Sequence, residues 1–152
     1  MKDLYDVDQN TLLFKFSNRV SAYDVKFSQD IPKKGQVLCH FAEFWFNKLD
    51  VPNHFIKRES ETEISVKKMK MIPMECVVRG YFYGSLIGRW KNGTVKLPEK
   101  TDTTMAAKLT EPFFDPTTKS EHDIPVDKVK ALEMNLVSEE QYSWLEKTSI
   151  DI

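Results

Sequence analysis

MIPMECVVRGYFYGS, residues Met71 to Ser85, has a proline at its third position, Pro73, and continues as an extended apolar run that ends on Arg79, with Gly80, Gly84 and Ser85 close behind. Alternation along a strand over 71–79 sets Glu75, Val77 and Arg79 on one side and Cys76 and Val78 on the other. Arg79 therefore stands at the strand's exit. The two glycines permit a tight turn, and Ser85 reads as the N-cap of a short helix, LIGRWK, ending near Asn92-Gly93. An arginine fork beside a helix start offers donors to a phosphate or a carboxylate. The same residues also fit a purely structural strand–turn–helix corner with a surface arginine.

Working outward, TLLFKFS over 11–17 alternates with Leu12, Phe14 and Phe16 on one side, which predicts a half-buried strand. The preceding LYDV and Asp8-Gln9-Asn10 suggest a hairpin with an earlier strand. NRVSAYDV over 18–25 reads as a loop leading to another strand, and IPKKG over 31–35 punctuates the chain. Val37, Leu38, Phe41, Phe44, Trp45 and Leu49 recur at helical spacing, predicting an amphipathic helix over 36–49. Short strands are predicted over 53–58 and 62–69, and a loop-rich stretch over 94–125. Ser138-Glu139-Glu140-Gln141 is a capping-box pattern that opens a helix through Trp144 and Leu145. Strands run together before the terminal helices, which predicts an α+β fold with an antiparallel sheet rather than a βαβ array.

The 152 residues suffice for one domain, or for one large and one small lobe. Apolar residues at 41% and aromatics at 12% exclude a disordered chain. With 22 basic and 23 acidic residues the net charge is -1, so nucleic acid is not an expected partner. Apolar runs fall far short of a membrane span, and MKDLYDVDQN lacks a signal-type stretch. Cys39 and Cys76 lie in apolar patterns without metal spacing, as reduced core thiols of a cytoplasmic protein would.

Three further clusters carry polar chemistry. Asp115 to Asp123, DPTTKSEHD, gathers hydroxyls, Lys119, His122 and carboxylates in a loop that either presents a polar substrate site or is simply solvated. Arg19, Ser21 and Asp24 share an earlier loop, where turn chemistry explains Ser and Asp as well as binding does. Lys67-Lys68-Met69-Lys70 is a basic run on a strand, a solvated face or a phosphate clamp. No phosphate-binding P-loop, dinucleotide fingerprint or nucleophile elbow is present.

Taken in order, NRVSAYDV, IPKKG, AEFWF over 42–46, MIPMECVVRGYFYGS and EPFFDPTTKSEHD resemble the SAICAR synthetase (phosphoribosylaminoimidazole-succinocarboxamide synthase) family over nearly the whole chain. The resemblance implies an ATP-dependent ligase of purine biosynthesis that joins L-aspartate to carboxyaminoimidazole ribonucleotide and requires Mg2+. The ATP γ-phosphate would pass to the imidazole carboxylate, and the aspartate amine would attack the acyl phosphate. That chemistry needs cationic and N–H donors around phosphates and exclusion of water. It implies that Arg79 and Ser85 hold the ribonucleotide, that Lys119, His122 and Asp123 lie by the ribonucleotide and aspartate, and that Ser21 and Asp24 lie near the same pocket. It implies that Lys67, Lys68 and Met69 meet adenine through their backbone and that Lys2 faces the ATP phosphates. A nucleotide-binding lobe over 1–68, a substrate-binding lobe over 69–152 and a homo-oligomer are expected with it.

The sequence also departs from the family pattern. The family's opening glycine and first lysine are absent before Lys2. Tyr83 stands where a small residue or threonine precedes Gly-Ser, and Ile124-Pro125 follows Asp123 where an acidic or asparagine-containing run is common. The family's later segments, which carry the magnesium carboxylates, have no counterpart, so the expectation is a truncated chain with weak or absent turnover and no metal ligands of its own. Two alternatives stay open: a non-catalytic ATP- or ribonucleotide-binding remnant, and a subunit that needs a partner chain.

Overall fold

The computed structural model describes residues 2–22, 25–120 and 122–152. The chain forms two compact units, Met1–Met71 and Ile72–Ile152. Both mix helices with antiparallel strands, as the α+β expectation has it.

In the first unit, β1 (Lys2–Asp6) and β2 (Thr11–Phe16) form the expected hairpin, with Lys2 opposite Phe16 and Asp6 opposite Leu12. Its turn is closed by Val7 N–H donating to Thr11 O and by Asn10 N–H donating to Asp8 Oδ1 at 2.7 Å. A short pair follows, β3 (Ser21–Ala22) and β4 (Val25–Lys26). Helix α1 (Lys34–Lys48) precedes β5 (Phe55–Arg58) and β6 (Glu63–Lys67), and the sheet order is β1-β2-β6-β5.

The helix is where the spacing predicts it, but it presents a different face. Gly35 and Cys39 are buried, and Ala42 and Phe46 pack with them against Phe14, Ile64 and Val66. Val37, Phe41, Phe44 and Trp45, which the periodicity assigns to the core, are exposed, Phe41 at 58%. The reason is steric. A Cβ on Gly35 would lie 2.7 Å from Phe16 O, so the helix start rests directly on the backbone of β2. The small residues face the sheet because only they permit that approach. Asn18 Oδ1 accepts from Gly35 N–H at 3.0 Å and ties the loop to the helix. Ile64 and Val66 beneath it are fully buried, each worth about 1.5–3 kcal/mol.

In the second unit, the strand predicted over 71–79 is two pieces, β7 (Met74–Glu75) and β8 (Val78–Tyr81). Helix α2 (Ser85–Lys91) follows, then β9 (Lys108–Phe114) and β10 (Thr117–Thr118), both within the stretch expected to be loop-rich. β7 pairs with β10 (Glu75 opposite Thr117) and β8 with β9 (Val78 opposite Phe114), so one antiparallel register continues across the break. The interruption falls at Cys76-Val77 opposite Asp115-Pro116, and Pro116 turns its backbone to the other side, where its O accepts from Val126 N–H at 3.0 Å. Among the described residues one backbone bond bridges it, Asp115 N–H donating to Val77 O at 2.8 Å.

Two apolar clusters support this ladder. Phe82, Leu86 and Leu109 pack with Phe113 and seat α2. Met74, Val126, Ala131, Val137 and Tyr142 join α3 (Lys128–Glu133) and α4 (Glu139–Asp151) to Phe114. The capping box at Ser138 is present as predicted, with Gln141 N–H on Ser138 Oγ and Ser138 N–H on Gln141 Oε1. Cys39 is buried and Cys76 half-buried, both free thiols that burial pushes to higher pKa.

Candidate functional site

Partners in an antiparallel ladder point to the same side, and so do residues two apart on one strand. The continued register therefore sets Glu75, Arg79, Asp115 and Lys119 on one face. Their contacts agree. Arg79 Nε donates to Asp115 Oδ2 at 2.5 Å, and Lys119 Nζ pairs with Glu75 Oε1 at 3.6 Å. Lys119 N–H donates to Pro73 O, extending the ladder by one residue.

Asp115 is only 3% exposed, and a buried carboxylate needs charged partners. It has two: Arg79 on Oδ2, and Arg89, whose Nη1 donates to Oδ1 at 2.6 Å. Arg79 Nη2 donates to Ser85 Oγ at 3.0 Å. Ser85 and Arg89 are one turn apart on α2, so both reach the same carboxylate–guanidinium cluster. Ser85 is not the N-cap. That position is Gly84, at φ 64, a conformation glycine adopts without strain, and Ser85 is the first helical residue. The hydroxyl goes to the arginine instead of to the helix backbone.

The Nε–Nη2 edge of Arg79 is thus committed to Asp115 and Ser85. Among the described residues no acceptor takes Nη1, so the terminal Nη1–Nη2 edge is left for a bidentate anion. A cavity of about 510 Å3 is lined by Arg89, Lys96, Phe113, Asp115, Lys130 and Tyr142 among others, while Arg79 and Ser85 do not line it.

The remaining sequence-predicted residues are distributed as follows. His122 O accepts from Ser120 Oγ at 2.6 Å, and Asp123 Oδ1 accepts from Ser120 N–H at 3.3 Å, so the loop after Lys119 is held by its own serine. Lys119 is four residues past Asp115, which keeps the two Cα atoms within about 14 Å. Ser21 is exposed on β3 of the first unit, and Asp24 lies outside the described residues.

Lys2 and Lys67 occupy opposite ends of the β2 register, roughly 17 Å apart, and opposite faces of the sheet. The Lys2 ammonium sits 3.8 Å from the Phe14 ring centroid, and partial burial pulls its pKa below the ordinary lysine value. Lys67 N–H donates to His54 O and Lys68 N–H to Asn10 O, while Lys68 Nζ pairs with Asp6. Met69 is exposed, and among the described residues its backbone has no hydrogen-bond partner.

Arg89 was not singled out from the sequence, and Asp115 entered only as the first residue of the polar loop, with no role of its own. The available signal was an acid directly after the apolar pair Phe113-Phe114, and an arginine four residues after Ser85. Among the described residues no three His, Cys, Asp or Glu side chains are grouped to hold a metal ion. The one buried carboxylate, Asp115, is committed to two arginines, so these residues do not by themselves fit the Mg2+ that the resemblance implies.

Comparison with known proteins supplies the context. The family model described as SAICAR synthetase matches residues 1–152. A phosphoribosylaminoimidazole-succinocarboxamide synthase from Nitrosopumilus maritimus is 80% identical over 152 residues, all of this chain and 56% of that protein. One from Candida maltosa is 37% identical, over all of this chain and 58% of its own length. The chain spans about half the length of these curated relatives. Among solved structures, SAICAR-synthase from Saccharomyces cerevisiae complexed with SAICAR superposes at TM-score 0.85 and 32% identity, covering 99% of this chain and 57% of that one. The Pyrococcus horikoshii SAICAR synthetase, at 22% identity and TM-score 0.82, covers 99% of this chain and 64% of that one and shares the fold. The chain belongs to the SAICAR synthetase family.

Proposed function

We propose that this chain supplies the ribonucleotide-binding corner, and part of the ATP-binding surface, of a ligase in purine biosynthesis that joins L-aspartate to carboxyaminoimidazole ribonucleotide at the expense of ATP. The observation that carries the reading is Arg79, held by Asp115 and Ser85 with one donor edge left over. That edge suits the two oxygens of a phosphate monoester, with Ser85 Oγ beside it as a further hydrogen-bonding group. Lys119 stands on the same ladder face and supplies positive charge for the carboxylate to be activated. His122 and Asp123 extend from the loop that follows it and orient the aspartate.

In the first unit, the free backbone of Met69 provides a donor and an acceptor for the adenine edge, and Lys2 provides charge for phosphates at the other end of β2. Phosphoryl transfer to the imidazole carboxylate gives an acyl phosphate and ADP, and the aspartate amine then displaces phosphate to form the amide. Fixed cations stabilise charge that develops on the transferring group. Mg2+, which the described residues are not by themselves grouped to hold, would supply further neutralisation of the ATP phosphates.

Calorimetric titration of the 152-residue chain with carboxyaminoimidazole ribonucleotide tests the proposal. Binding weakened at least tenfold by Arg79→Ala supports it, and unchanged affinity in that variant refutes it. ADP release, with each substrate omitted in turn, then separates turnover from binding alone.

A further inference from the structure

We propose that Asp115 is the positioning residue of this corner, and that Arg89 is the counter-cation that lets a buried carboxylate do that work. The inference rests on the reading of Arg79 as the phosphate ligand, and it assigns roles to two residues for which the resemblance implied none. A carboxylate next to the cation that must bind an anion is at first sight unfavourable, since it cancels charge where charge is needed. The geometry resolves this. Asp115 accepts from Arg79 at 2.5 Å and from Arg89 at 2.6 Å, so two guanidinium groups share one carboxylate and the cluster keeps a net charge of one positive unit.

Asp115 takes Nε of Arg79 and Ser85 takes one proton of Nη2, which together set the guanidinium plane and leave Nη1 without an acceptor among the described residues. Arg89 lines the cavity together with Asp115, while Arg79 and Ser85 do not, and its part at the phosphate corner is to balance Asp115. The position of Asp115 is itself a product of the fold. It stands at the ladder break, on the same face as Arg79 and two register steps away.

The test turns on the sign of an effect. Asp115→Asn raises the charge of the site by one unit. If only positive potential mattered, the ribonucleotide would bind more tightly at low salt. If Asp115 positions Arg79, the affinity falls by about tenfold to a hundredfold, the equivalent of losing one charge-assisted hydrogen bond. The riboside lacking the phosphate is titrated in parallel and keeps its affinity, which a general loss of structure would not allow.

Arg89→Gln gives a second, independent reading if Asp115→Asn does not fold. It leaves Asp115 to neutralise Arg79 alone, so the phosphate-dependent gain in affinity and its salt dependence both shrink. Tighter or unchanged ribonucleotide binding in Asp115→Asn, or an unchanged phosphate-dependent gain in Arg89→Gln, overturns the positioning role. Equal affinity of the parent chain for ribonucleotide and riboside is a different result. It removes the phosphate site itself and the proposal with it.

Discussion

Gly35→Ala tests the close approach of α1 to the sheet. The added Cβ would sit 2.7 Å from Phe16 O and 3.1 Å from Phe16 C, where ordinary contact begins at 3.4 Å. Both atoms are backbone of a central strand, so neither can rotate aside. The helix start must lift by roughly 0.7 Å, loosening Cys39, Ala42 and Phe46 over Ile64 and Val66. Overpacking of this kind costs about 1–3 kcal/mol. Against it stands a gain of about 0.5–1 kcal/mol for replacing glycine in a helix, for a net loss centred on about 1 kcal/mol.

Gly88→Ala, in the exposed middle of α2 with nothing within 4 Å of the new Cβ, carries only the gain. The same chemical change should therefore have opposite signs at the two sites. Urea unfolding would measure it, in a Trp90→Phe/Trp144→Phe background so that Trp45 alone reports the first unit, with circular dichroism following Gly88→Ala. At m-values of about 1–3 kcal/mol per molar, the Gly35→Ala midpoint falls by about 0.5–1 M. A midpoint equal to or above the parent's would refute the steric account of why α1 turns its small face inward.

Ser138→Ala removes one side of a complete capping box and should cost about 1 kcal/mol, read as a lower urea midpoint of the second unit. His54, edge-on to Phe14 and Phe46, has a pKa held below 6.5 by burial and by the nearby Lys2 charge. The unfolded chain therefore takes up that proton first, and stability falls as pH drops below 6.5. His54→Phe should flatten the pH dependence in that window, measured by thermal unfolding. Tyr142, buried against Phe114, has its pKa pushed up to about 12, first of all by burial. Its contribution is full below pH 10 and is lost as pH rises through about 12. Tyrosinate absorbance in an alkaline titration should show one late-ionising tyrosine that Tyr142→Phe removes.

Local patterning determined much of this chain. The alternation of Leu12, Phe14 and Phe16 specifies β2, the spacing after Gly35 specifies a helix, and Ser138 with Gln141 specifies where α4 begins, because each signal depends on residues a few positions apart. The motif from Met71 to Ser85 carries the family membership and brings Arg79 and Ser85 together through a short turn. Three things were decided only in the tertiary structure. The helical period does not say which stripe meets the sheet, and the strongly apolar stripe of α1 lost to the small one because the backbones come so close. A single apolar run does not reveal where its partner strand turns to a second neighbour, so the parting of β7 and β8 opposite Asp115-Pro116, where Pro116 O accepts from Val126 N–H, was not legible in it. Finally, Asp115 meets Arg79 across 36 positions and Arg89 across 26. No local rule pairs residues at such separations, since only the folded ladder and the helix seated on it bring those charges into one buried cluster.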